Sequence, residues 1–202
     1  MSSRTCFYFG LDTFDSASAC LSSHPPELKG STYRLDDGEP LAGWFPANAR
    51  YPMSRHYPNA RKLNDLQNNT LEIHVVSRAL RETLVEVGCK NVEFLPIVIL
   101  NHRGKVASDE YSIANVLGAV DCLDREQSKY KMDALVRTKV DSIEKLVLRV
   151  DRIPEDLHLF RLKDRPETHL VSEALKGAIE AKRLTGMVFV PIDEYDSDLN
   201  RP

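Results

Sequence analysis

Two aspartates, Asp121 and Asp124, bracket Cys122 and Leu123, and of all the residues in the chain their type and spacing best suit chemistry. A close pair of carboxylates can hold a divalent cation, or one member can raise the proton affinity of the other. On a continuing strand, residues three apart point to opposite faces, so the pair converges only where the chain turns. An Asp that follows a strand is most often a cap or turn residue, and that is the role expected of both. Cys122 between them is a poor thiolate candidate, because Arg125 is the only activating cation near it in sequence.

Other constellations are thinner. His74 and His169 precede a Ser in two similar segments, but no third ligand accompanies them, so each reads as a partly buried imidazole at a sheet edge. The chain contains no P-loop, dinucleotide glycine pattern, His-Glu-x-x-His or Gly-x-Ser-x-Gly. No catalytic residue, metal or cofactor is therefore assigned, and the expectation is a protein that is not an enzyme. The segment Arg50 to Lys62 has no acidic residue and interleaves Arg50, Arg55, Arg61 and Lys62 with Tyr51, His56 and Tyr57. Cations for phosphate and rings for stacking suit single-stranded nucleic acid, and the alternative function for this chain is a nucleic-acid or nucleotide-phosphate binding protein that uses this loop, 50–62. At the opposite pole, Asp193, Glu194, Asp196 and Asp198 form an acidic tail of the kind that steers a basic protein partner.

The elements that must carry these residues follow from composition and pattern. The chain has 202 residues, 27 basic against 30 acidic, and both halves are close to balanced. Nucleic acid is for that reason not the expected partner, since a dedicated binder shows a basic excess. Cys6, Cys20, Cys89 and Cys122 make no metal-type pair and read as reduced, packed thiols. The early apolar run is too short for a signal-peptide core and no eighteen-residue apolar stretch occurs, so no membrane association and a cytoplasmic location are expected. One domain spanning 1–202 is expected, divided into an irregular Pro-rich region 12–69, a body 70–192 and the tail 193–202. Thr5 to Leu11 reads as a first strand, and Thr32 to Leu35 as the only strand within the Pro-rich region. Tyr111 to Val120 reads as a strand and Glu126 to Val140 as a weak helix. Lys145 to Val150 and Leu157 to Leu162 read as a hairpin.

Comparison of the chain with itself is more informative. Residues 74–97 align with 169–192 at a constant offset of 95, with eight of 24 positions identical, including Phe94/Phe189, Pro96/Pro191 and Ile97/Ile192. Average residue usage gives roughly one or two such identities. Each copy reads as a strand, then Ser77 or Ser172 as helix N-cap, then an amphipathic helix, a Gly near its end (Gly88, Gly186) and a second strand. Pro96 and Pro191 each remove one ladder donor, which predicts a bulge or a sheet edge there. The fold class expected is α+β: a mixed β-sheet with two repeated strand-helix-strand units at about 71–100 and 168–192.

The order of motifs adds a resemblance. Leu35-Asp36-Asp37-Gly38 comes first, then Asp65 through Asn69 before Val76-Ser77, Val92 through Pro96, and Tyr111 with Asn115. Asp121 through Asp124 with Ser128 follow, then Leu146-Val147-Leu148, Phe160-Arg161, and Val171-Ser172-Glu173 through Gly186 to Phe189-Val190-Pro191. This succession, covering about residues 35–192, resembles the bacterial polymorphic-toxin immunity family defined by the myxobacterial immunity protein domain. The stretch Ser128 to Ser142 departs from the pattern. The resemblance implies structural roles for Ser77, Pro96, Tyr111, Asn115, Asp121, Asp124, Ser128, Phe160, Ser172 and Pro191. It further implies a non-enzymatic protein that binds the toxin domain encoded by an adjacent gene and occludes it. With no export signal, the toxin would act in the cytosol. The acidic tail and the Arg50, Arg55, Arg61 loop are the surfaces expected to meet it.

Overall fold

A computed structural model describes residues 4–197. In chain order the strands and helices are β1 (Cys6–Leu11), β2 (Ala49–Pro52), β3 (Leu66–Gln67), β4 (Val75–Ser77), α1 (Arg78–Val87), β5 (Val92–Leu100), β6 (Val106–Val116), β7 (Lys129–Met132), β8 (Val140–Lys145), β9 (Leu159–Leu162), β10 (Arg165–Ser172), α2 (Glu173–Ala181) and β11 (Met187–Pro191). The fold is α+β. One sheet has the order β11-β1-β10-β9, a second β2-β5-β6-β4-β3, and β7 pairs with β8 alone.

Both helices start for the same local reason. Ser77 and Ser172 have extended backbones, and each hydroxyl accepts from the N–H three residues on, Leu80 and Leu175, at 3.2 Å in both cases. At the C-terminus of α1, Gly88 takes the left-handed conformation with φ 95°. Gly186 does not play that part for α2. The left-handed step there falls on Arg183, φ 54°, at the position matching Gly88, while Gly186 (φ 90°) shapes the turn into β11.

The two strand-helix-strand segments share a register. Strands β4 and β5 flank β6, and both Val76 and Pro96 lie opposite Ser112. Strands β10 and β11 flank β1, and both Val171 and Pro191 lie opposite Phe7. Each helix therefore carries the chain past one antiparallel strand to a parallel position beyond it. Pro191 lies on an edge strand. Pro96 precedes the point, at Ile97, where β2 begins to pair with β5, so neither proline costs a ladder bond to an outer neighbour.

Strand alternation sorts the apolar residues into three cores. Leu95, Ile97, Ile99, Tyr111 and Ile113 face the Pro-rich region, whose Leu21, Leu28, Leu35, Leu41, Tyr51 and Met53 are buried on them. Ala114, Val116 and Val92 face inward and meet Leu80 and Leu84 of α1, Leu175 and Ile179 of α2, and Phe9, Leu159 and Val171 of the other sheet. Beyond that sheet, Cys6, Phe160, Leu162 and Leu170 pack on Cys122, Val140, Ile143 and Tyr195.

Several expectations are corrected. Thr32–Leu35 is a 3-10 helix, not a strand: it has no ladder neighbour, it buries only Leu35, and Arg34 stacks on Trp44. The strands of the Pro-rich region are β2 and β3 instead. Glu126 to Val140 is not helical but holds β7 and the start of β8. Asp133 opens the intervening loop by accepting from the N–H groups of Leu135 and Val136 at 2.7 Å each. Lys145 to Val150 does not pair with Leu157 to Leu162: β8 pairs with β7, and β9 turns through Lys163-Asp164 into β10. Strand β6 begins earlier than expected and ends at Val116, before Gly118 (φ 69°).

Candidate functional site

A cavity of about 950 Å³ opens where the Asp121–Glu126 turn, the β7–β8 loop, Arg149 and Arg152, and the Lys163-Asp164 turn meet. Asp121 and Asp124 both line it, but they do not form a working pair. The Asp121 carboxylate faces Lys163 at 3.4 Å and Arg152 at 3.8 Å. The Asp124 carboxylate accepts from the N–H groups of Gln127 (3.1 Å) and Glu126 (3.0 Å), and these bonds hold it below the usual carboxylate range. Both aspartates are thus committed locally, and two cations stand where a metal would need further anions. Among the described residues no group of three or more His, Cys, Asp or Glu is arranged to hold a metal ion. Cys122 is fully buried, and burial, reinforced by Cys6, Asp121 and Asp164, pushes its thiol up to about 12. A thiol so disfavoured as thiolate is not a nucleophile at neutral pH.

The remaining motif positions pin backbone to backbone. Asn115 donates to Glu39 O (2.8 Å) and to Glu93 Oε2 (3.0 Å), and the Glu93 carboxylate accepts from Leu41 and Ala42 N–H at 2.8 Å each. This pair of cross-strand neighbours fastens the Pro-rich cover to β5 and β6. Tyr111 donates to Asn64 O (3.0 Å). The Ser128 hydroxyl donates to Val147 O and accepts from Val147 N–H. Phe160 is a core residue, 1% exposed.

Between the two large sheets lies a polar seam that the sequence reading missed. Arg161, 6% exposed on β9, donates to Val116 O (2.9 Å), Asp36 O (2.8 Å) and Leu35 O (3.3 Å). Neither histidine sits at a sheet edge as expected. His169 is buried on β10 between β1 and β9, and His74 leads into β4 between β6 and β3. Their rings meet edge to face with centroids 4.2 Å apart, and Phe9 stacks on His74. His169 Nδ1 donates to Glu167 O at 3.1 Å, while its Nε2 is buried without a partner among the described residues. Burial and the nearby Arg161 charge push His74 down to about 4 and His169 well below its ordinary value.

Because folding lowers these pKa values, the unfolded chain binds more protons than the folded one below pH ~6.5. Stability should therefore be level above that pH and fall as the pH drops from about 6.5 towards 4. Each group contributes up to about 1.4 kcal/mol per pH unit. Urea midpoints measured across this range check it, and the H74Q/H169Q double variant should flatten the slope. A wild-type midpoint unchanged between pH 7 and pH 5 would refute the seam's role.

The two surfaces expected to meet a partner are less free than the sequence implied. Arg50, Arg55 and Arg61 are exposed, but Tyr51 is fully buried and cannot stack on a base, and Lys62 pairs with Asp15 at 2.8 Å. Asp193 and Glu194 are exposed on a 3-10 turn. The chain after them is anchored by Tyr195 against Tyr8 and by Ser197, which donates to and accepts from the Ile143 backbone. Asp196 is half-buried, and Asp198 lies outside the described residues. The cleft cations at 137, 139, 149, 152 and 163 escaped notice because acidic residues are interleaved with them, which hides their clustering from any net-charge window. Their only signal was the density of Lys and Arg between 125 and 163.

The sequence of residues 16–194 matches the immunity protein family Imm11, and the chain belongs to that family. Among curated proteins, nothing matches it. No helix among the described residues is long and apolar enough to cross a membrane.

Proposed function

We propose that this protein is a non-enzymatic immunity factor that binds a cognate toxin domain, encoded by an adjacent gene and acting in the cytosol, and neutralises it by occlusion. Family membership over 16–194 carries this reading. The chemistry of the cleft supports it: Asp121 and Asp124 are engaged by their own neighbours and burial disfavours the thiolate of Cys122. The shared register of the two strand-helix-strand segments favours reading them as copies of one unit, a rigid frame on which a contact surface can be displayed. An interface of about 1,200 to 2,000 Å² would suffice for tight binding.

The test is co-expression with the neighbouring toxin domain. Cells making the toxin domain alone should die, cells making both should grow, and the two chains should co-purify. A neighbour that neither harms cells nor binds this chain would overturn the proposal.

A further inference from the structure

The cleft beside the β7–β8 loop carries more positive charge than its salt bridges engage. Six cations line it against four carboxylates, on a chain whose net charge is −3. Three of the cations are engaged internally: Arg125 with Asp164, and Arg152 and Lys163 with Asp121. The other three, Arg137, Lys139 and Arg149, are exposed and form no salt bridge among the described residues. Asp164 lies in the wall of the same cleft. It is 4% exposed, yet only one of its carboxylate oxygens is engaged; Oδ2 is buried with no hydrogen-bond partner among the described residues. A buried carboxylate oxygen left bare is costly unless a donor arrives.

Apolar surface adjoins this charge. Leu135, two residues before Arg137 at the loop tip, is 93% exposed, Val136 is 45% exposed, and Val150, next to Arg149, is 42% exposed. The tip is not a loose end. Asp133 accepts from two successive N–H groups, its own N–H donates to Lys139 O, and Lys139 N–H donates to Val136 O. A shaped turn that presents a bare leucine beside unpaired cations has the makeup of a protein interface, an apolar anchor with charged surroundings. Nucleic-acid phosphate would account for the cations but not for the leucine.

We infer that this cleft and the β7–β8 tip form the docking surface for the toxin domain, and that the toxin meets it with an acidic patch. The partner's carboxylates lie against Arg137, Lys139 and Arg149, and Leu135 enters an apolar recess on the partner. This assignment rests on the immunity reading and names its surface. It displaces the acidic tail and the Arg50 loop as the primary contact.

The experiment is calorimetric titration of the full chain with the purified neighbouring toxin domain, with a twenty-residue oligo-dT as phosphate probe. Wild type should bind the toxin domain with an affinity that weakens as salt rises. The variant R137E/K139E/R149E should bind at least about 100-fold more weakly, and Leu135→Asp about tenfold more weakly. R50E/R55E/R61E, the same change of charge elsewhere, should stay within about threefold of wild type. Thermal midpoints should be unchanged throughout, because these side chains are exposed. If wild type binds while both cleft variants bind equally well, the surface is misassigned and the immunity reading stands. If wild type binds no toxin domain, the immunity reading falls and the surface with it. Loss of oligo-dT binding in the triple variant with toxin binding intact would make the cleft a phosphate site and overturn the inference.

Discussion

Replacing Arg161 with leucine is expected to lower the unfolding free energy by about 3–5 kcal/mol, because three buried carbonyl oxygens lose their donor in one step. The acceptors belong to different parts of the fold. Val116 ends β6 in the second sheet, Leu35 and Asp36 belong to the Pro-rich cover, and Arg161 itself is on β9 of the first sheet. One guanidinium thus ties the cover and both sheets together. It keeps its charge at neutral pH, although burial lowers its proton affinity, and Asp36 and Asp37 partly offset that. Arg161→Lys should recover little of the loss, since a compact ammonium cannot reach three acceptors arranged for a planar fork. Urea denaturation compares the three proteins. A leucine variant within about 1 kcal/mol of wild type would show that water satisfies these carbonyls as well as the arginine does.

Gly186→Ala is the second large effect, with an expected cost of about 3 kcal/mol or more. Two causes combine. At φ 90° a Cβ is already disfavoured, and this one would land on the Leu66 carbonyl oxygen and the Asn64 Cβ, well inside van der Waals contact. The first obstacle is backbone that cannot swing aside, because Leu66 N–H donates to Thr185 O and Asp12 N–H to Gly186 O, joining the turn to both neighbouring segments. Gly30 supplies the comparison. Its φ is 82°, yet nothing lies within 4 Å of its Cβ position, so Gly30→Ala should cost only the conformational penalty of about 1 kcal/mol. Equal losses in the two variants, read from the same denaturation curves, would remove the steric argument.

The parts of the fold that the sequence made legible are those decided by neighbours along the chain. Ser77 and Ser172 cap their helices as read, because an N-cap needs only a hydroxyl and the three residues after it. The stripe through Leu80 and Leu84 is buried for the same reason. The misreadings concern residues whose state depends on distant partners. Thr32–Leu35 has strand-like composition, but no strand runs beside it. The alternation around Tyr130 was obscured because most of β7 and β8 faces water, so its apolar spacing signals neither period. His74 and His169 stand at the same offset of 95 as the rest of the two segments, but their meeting at 4.2 Å depends on how the two sheets pack. At the cleft, Asp121 and Asp124 were visible as a pair, and the turn role expected of Asp124 matches its bonds to Glu126 and Gln127. The surrounding cations come from four separate loops, and no local window brings them together.

The β7–β8 tip also sets where this chain can change. Residues 134–139 are all exposed, so most exchanges among them should shift stability by no more than about 0.5 kcal/mol. Asp133, which shapes the turn, Arg161 in the seam and Gly186 in the turn before β11 lack that freedom. On the docking surface proposed above, contacts can therefore be revised by substitution at a small external appendage while the framework beneath it is left unaltered.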